Sequence, residues 1–251
     1  MERINEAKLR NIAAETGFNI IYLEKDYFLT VFLYCLKDFE GIYFKGGTAL
    51  NKIFLEHTRL SEDLDFTSAI PIASVKEKVE EIIKQDKDHF ISAEYENEKE
   101  GFVRIRVFYR SYFQKDTYII LDINRKGTVH LETQKKKVNN FYGLDFDITV
   151  MNINEMAAEK MRAAITRNKP RDYFDLYFIL KKYDVDMQLV KKKVEEAEKE
   201  FDIEKIFKSA KKIYSHWDED IGKLTNRELS YIECIRYLHR KLRQVPEKKK
   251  A

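Results

Sequence analysis

Two aspartates stand one residue apart inside an apolar run, Arg59-Leu60-Ser61-Glu62-Asp63-Leu64-Asp65-Phe66, downstream of a paired glycine in Phe44-Lys45-Gly46-Gly47-Thr48-Ala49-Leu50. Side chains two apart on a strand point the same way, so Asp63 and Asp65 aim two carboxylates at one spot. Such a pair repels itself unless a cation or a proton sits between its members. Hard divalent cations take oxygen ligands, and Mg²⁺ is commonly held by one or two carboxylates plus substrate phosphates. Gly46 and Gly47 open a predicted helix, whose first backbone N–H groups can receive phosphate. The Thr48 hydroxyl in that first turn can reach a phosphate as well as cap the helix. Together these pieces describe a site for a metal-bound nucleotide. The plainer alternatives are a simple turn at the glycines and a wet strand side carrying the aspartates over buried Leu64 and Phe66.

The chain around this segment divides into two styles. Up to about residue 40 the apolar residues recur at helical spacing, and Gly41 breaks the pattern. Short strands are expected at Ile42–Phe44, Leu64–Thr67, Phe102–Tyr109 and Tyr118–Ile123, with a last one, on an edge, at Phe146–Val150. Pro71 marks the start of a helix running to about Gln85. From Met151 onward almost everything has helical periodicity. Asn152 and Glu155 resemble a capping box, and Thr225 or Asn226 is the expected cap of a final helix, with Lys248–Lys250 as a frayed tail. The fold class is α/β (α+β), a small mixed-sheet core with an N-terminal helical segment and a helical C-terminal half. The expected division is residues 1–150 and 151–251.

The 8 Gly and 3 Pro in 251 residues argue for a helix-rich, loop-poor chain and against disorder. The net charge of +3 is too mild to announce nucleic acid by itself. Cys35 and Cys234 are isolated in apolar surroundings and read as buried thiols without a disulfide or zinc framework. No signal peptide and no membrane-length apolar stretch is visible, so a soluble cytoplasmic protein is expected.

A two-metal transfer site needs about three carboxylates, because two cations roughly 3.5–4 Å apart must be held and neutralised. Asp122 supplies a third candidate. It interrupts the β-formers of Tyr118-Ile119-Ile120-Leu121-Asp122-Ile123, where an aspartate is disfavoured. Its plain alternative is a strand end capping a turn at Asn124. On a helix from Ile153 to Arg167, Lys160 falls inside an apolar arc otherwise filled by Met156, Ala157, Met161, Ala163, Ala164 and Ile165. A cation there needs an anionic partner, or must snorkel past the alanines to water.

Gly46-Gly47, Asp63-x-Asp65 and the separate strand carboxylate Asp122 resemble the nucleotidyltransferase superfamily related to DNA polymerase β. The wider text is similar to the AbiEii/AbiGii toxin family: Glu24-Lys25-Asp26-Tyr27, Lys45-Gly46-Gly47-Thr48-Ala49-Leu50, Arg59 to Phe66, Lys160, and Arg171-Asp172-Tyr173-Phe174-Asp175-Leu176. The match extends over roughly residues 20 to 180. It implies a Mg²⁺-dependent enzyme, with two ions and Mn²⁺ as an alternative metal, held by Asp63, Asp65 and Asp122. Gly46, Gly47, Thr48, Ser61 and Lys160 would bind the nucleotide. Asp172 would orient Lys160 or Arg171, or assist the acceptor, and Asp175 shares its ambiguity. The implied substrates are an NTP and an acceptor hydroxyl at the 3′ end of tRNA, and the implied partner is an antitoxin encoded beside the toxin gene. Two other functions stay open: transfer to an aminoglycoside-like small molecule or a protein side chain, and a non-catalytic nucleotide-binding module. For RNA the residues offer a basic loop at Lys135-Lys136-Lys137 and a basic face of Arg236, Arg240, Lys241 and Arg243, each with a solvated surface as its plain alternative.

Overall fold

The computed structural model describes residues 2–208 and 210–243, and of 210–212 the backbone alone. The chain forms two compact units, residues 1–152 and 153–251. The expected tail at Lys248–Lys250 lies outside the described residues.

The first unit begins with α1 (Glu6–Thr16), closed by Gly17 in the left-handed conformation, and α2 (Ile20–Leu36). A seven-stranded sheet follows: β1 (Ile42–Lys45), β2 (Asp63–Ser68), β3 (Phe90–Lys99), β4 (Phe102–Tyr109), β5 (Tyr118–Asn124), β6 (Gln134–Lys137) and β7 (Asp147–Val150). Between β1 and β2 lie the short helix α3 (Gly46–Ala49) and a π-helical turn, Leu50–Phe54. Between β2 and β3 lies α4 (Ile72–Gln85), with Pro71 at its N-cap. The spatial order is β3-β4-β5-β2-β1-β7-β6. Most neighbours are antiparallel, but β2 pairs parallel with β5 and β1 parallel with β7. The fold class is thus the mixed α/β one expected.

Alternation builds the two faces of the central strands. Leu64 and Phe66 on β2, Val103, Ile105 and Val107 on β4, and Ile119, Leu121 and Ile123 on β5 are all buried. Aromatic residues tie α2 to the sheet: Phe28 stacks on Tyr109 at 4.1 Å between ring centroids, and Phe32 meets Phe90 edge-on at 5.2 Å. The residues between these apolar positions carry the other face, where the acids lie.

Several expectations need correction. Phe146–Val150 does not end the sheet, because β6 pairs outside it; the edge strand is the lysine run expected as a loop. Charged side chains on an edge strand discourage pairing with another chain, which accounts for a polar strand there. β3 was not expected either; it is the opposite edge, and its Glu94, Glu96 and Glu98 hide the strand signal.

The second unit is helical: α5 (Ile153–Thr166), α6 (Pro170–Lys182), α7 (Met187–Glu196), α8 (Lys205–Lys208), α9 (Ala210–Ile221) and α10 (Tyr231–Arg243). The hydroxyl that accepts from the first turn of α10 belongs to Ser230, not Thr225 or Asn226. Glu155 is fully buried and pairs with Lys193 of α7 at 2.6 Å. Cys234 is buried, but Cys35 is only half-buried, and both are free thiols. No helix among the described residues is long and apolar enough to cross a membrane.

Candidate active site

The strand–glycine–helix segment is held from below by its own side chains. Gly46 has φ +77°, a conformation L side chains rarely adopt, and a Cβ there would lie 2.1 Å from Asp65 Oδ2. Glycine is therefore required twice, by the backbone and by the aspartate packed against it. The Thr48 hydroxyl donates to the backbone carbonyl of Asp63, and its side chain is fully buried. Thr48 thereby fixes the start of β2 against the glycine turn. Gly47 is buried beside it. From the π-helical turn, Asn51 Nδ2 donates to the Gly47 carbonyl at 3.0 Å. Its Oδ1 accepts from Thr58 Oγ1 at 2.7 Å and from the Arg59 backbone N–H at 3.1 Å. Arg59 in turn donates to the Leu60 carbonyl at 2.8 Å and to Ser61 Oγ at 3.2 Å, so Ser61 is a buried member of the same loop. Asn51 joins the glycine turn to the loop before the aspartates. Nothing in a sequence pattern singles out such an asparagine.

Strand register brings the acids together. Asp63 and Asp65 lie on the half-buried face of β2, and Asp122 lies on the matching face of β5. Asp65 is the register partner of Asp122 across the parallel pair, and Asp63 is that of Ile120. The row continues outward as Lys45, Asp65, Asp122, Arg104 and Glu96 on β1, β2, β5, β4 and β3. Arg104 closes a two-pronged fork on Asp122, Nε to Oδ1 at 2.8 Å and Nη2 to Oδ2 at 2.7 Å. That fork, with the nearby charges of Asp63 and Asp65, pushes the Arg104 guanidinium above its already high range. Arg106, on the same face, pairs with Glu96 at 2.9 Å.

The segment Glu24-Lys25-Asp26-Tyr27 is tied into the first unit by its side chains. Glu24 accepts from Ser111 Oγ and the Tyr112 backbone N–H. Asp26 grips the buried Lys52 of the π-helical turn at 2.7 Å and also accepts from Tyr142 at 3.0 Å. Burial pushes the Lys52 ammonium down against the pull of Asp26. Tyr27 meets His89 Nε2 at 2.7 Å, and His89 Nδ1 meets Asp86 at 2.7 Å. His57 is buried beside Phe141; burial and the Lys52 charge lower its imidazole to about 4.

In the second unit, Lys160 has the anionic partners that its place on an apolar arc demanded. Its ammonium lies 3.2 Å from Asp172 Oδ1 and 2.8 Å from Asp175 Oδ2, both carboxylates being fully buried. Asp172 is also held by a fork from Arg167, at 2.7 Å on each oxygen. It therefore orients Lys160 together with Arg167, a residue not singled out for this role. Burial alone would raise the Asp172 carboxyl, but Lys160 and Arg167 outweigh it and hold the group below the usual carboxylate range.

The donor set of the first unit suits a hard cation: oxygen ligands on a half-buried face, with a glycine cradle against one of them. Among the described residues, no three acid, histidine or cysteine side chains converge on one point. Asp122 spends both oxygens on Arg104.

The geometry thus sets an acid row beside a glycine turn on a mixed sheet. Residues 28–231 match the family described as "Nucleotidyl transferase AbiEii toxin, Type IV TA system". The chain belongs to that family; the match begins just after Glu24-Lys25-Asp26-Tyr27 and runs well past the last of the other motifs. Among solved structures, MenT4, a nucleotidyltransferase toxin from Mycobacterium tuberculosis H37Rv, is similar at TM-score 0.68 and 18% identity, covering 98% of this chain and 91% of that one. JHP933 from Helicobacter pylori is similar at TM-score 0.64 and 21% identity, with 90% and 92% covered. A putative nucleotidyltransferase from H. pylori gives TM-score 0.65 and 22% identity, with 90% and 95% covered. At these identities the likeness is one of fold. No curated protein matches the chain.

Proposed function

We propose that the chain is a toxin of a toxin–antitoxin system that transfers a nucleoside monophosphate from an NTP to the 3′-terminal hydroxyl of tRNA, releasing pyrophosphate. The observation that carries this is the register of Asp65 with Asp122, with Asp63 two residues along and Gly46 packed against Asp65. Asp63, Asp65 and Asp122 would hold Mg²⁺, two ions or their Mn²⁺ equivalents, which supply charge neutralisation to the triphosphate and the attacking oxygen. The backbone at Gly46 and Gly47 offers N–H groups to phosphate, while Thr48 and Ser61 hold the turn and its loop in place. Lys160 is assigned the phosphate-facing charge on the family resemblance, with Asp172 and Asp175 fixing its ammonium. The protein contributes position and charge, not a covalent intermediate.

The deciding experiment incubates the protein with α-labelled NTPs, Mg²⁺ and total tRNA. Label is expected in tRNA and absent with Asp63→Ala. If label appears on protein or on an aminoglycoside instead, the acceptor is wrong and the chemistry stands. If no acceptor is labelled and Asp63→Ala is as toxic as the parent in cells, the whole proposal falls. The cytoplasm is the compartment in which NTP, tRNA and an antitoxin made beside the toxin would meet.

A further inference from the structure

We propose that Arg104 guards the third carboxylate against metal: its fork must leave Asp122 before Asp122 can join Asp63 and Asp65 in holding a divalent cation. This rests on the metal role proposed above for those three residues. Both Asp122 oxygens are taken, at 2.8 and 2.7 Å, so the side chain offers a cation nothing while the fork is closed. The same guanidinium feels Asp63 and Asp65, so its positive charge opposes a second cation on the acid face.

The fork is built to open. The Arg104 side chain is 37% exposed and that of Asp122 is 18% exposed, so neither leaves a hole in a core. The fork from Arg167, itself 54% exposed, differs in its carboxylate, because the Asp172 side chain is only 1% exposed. Arg104 also has a place to go. Glu96 is its register partner on β3, already close to Arg106, and can take a second guanidinium. Metal binding and release of Arg104 then form one equilibrium, and the apparent metal affinity is lowered by the fraction of molecules with the fork closed. For a partly exposed pair the penalty is about two- to fivefold in affinity.

Mn²⁺ binding to the full chain, without nucleotide, tests this through the electron paramagnetic resonance signal of free Mn²⁺. Arg104→Gln is expected to bind Mn²⁺ about two- to fivefold more tightly than wild type, with Arg104→Lys between them. Arg106→Gln, which removes a charge from the same face but no fork, should gain less. The melting temperature of each variant confirms that it is folded. Unchanged or weaker binding in folded Arg104→Gln, or an equal gain in Arg106→Gln, overturns the proposal. Asp63→Asn separates the two claims. If it binds Mn²⁺ like wild type, the metal role of the acid row fails, whatever Arg104 does. If it abolishes binding and Arg104→Gln gains nothing, the guard alone fails.

Discussion

On the sheet of the first unit, three aspartates share a half-buried face, and the guanidinium that grips Asp122, Arg104, is itself partly exposed. In the helices of the second, Asp172 and Asp175 are sealed from water around Lys160. The first arrangement leaves like charges close together, which favours an incoming cation. The second satisfies its charges internally and makes each of them costly to remove. Acid residues named by one motif family can therefore serve opposite ends, and burial distinguishes them.

The largest effect should fall on the sealed cluster. Asp172→Ala or Asp175→Ala leaves Lys160 buried with a partner missing, which should cost about 3–5 kcal/mol in denaturant unfolding. A loss under about 1 kcal/mol would erase the contrast between the units. On the open face the balance reverses. Asp63→Asn should leave stability nearly unchanged, yet lower nucleotidyl transfer at least about a hundredfold, read from labelled NTP incorporation. Equal losses of stability and activity would mean that Asp63 is structural too.

Gly46→Ala comes next, at roughly 1–3 kcal/mol, from the strained backbone together with the collision against Asp65. Asp65→Ala should recover the collision part of that cost, so a double-mutant cycle that sums additively would break the link between glycine and aspartate.

The smallest difference is one of pH. His57 titrates at about 4 when folded, below its unfolded value near 6.5. The unfolded chain then binds the extra proton, so the first unit loses stability as pH falls from about 6.5 to about 4. The Asp172 carboxyl is lowered, so its contribution is intact above the unfolded value near 3.9 and is lost only on further acidification. Trp217, the single tryptophan, reports the second unit alone. Far-ultraviolet circular dichroism should begin to change at a higher pH than Trp217 emission. Coincident transitions would show that the two windows are not separate.

Short-range patterns made much of this legible. Gly46-Gly47, Asp63-x-Asp65 and the misplaced Asp122 each violate a local preference, and a violated preference is visible without coordinates. Lys160 was legible as a cation needing an anion, and the anions lay in the neighbouring motif. What stayed hidden was everything set by register or by edges. Arg104 meets Asp122 only because β4 and β5 pair in one particular alignment. Asn51 acts through a π-helical turn that no apolar period marks. β3 and β6 carry polar side chains because they are the two outer strands, so their sequences resemble loops.

The parallel pairing of β2 with β5 has a consequence for synthesis. Parallel strands cannot be joined by a hairpin, and here the connection runs through α4, β3 and β4 before β5 is laid down. A nascent chain carries the Asp63-Leu64-Asp65 signature through the making of that whole connection with no Asp122 beside it. The acid face is complete only once β5 stands between β4 and β2, so a chain stopped before Tyr118 would carry the signature without the complete face.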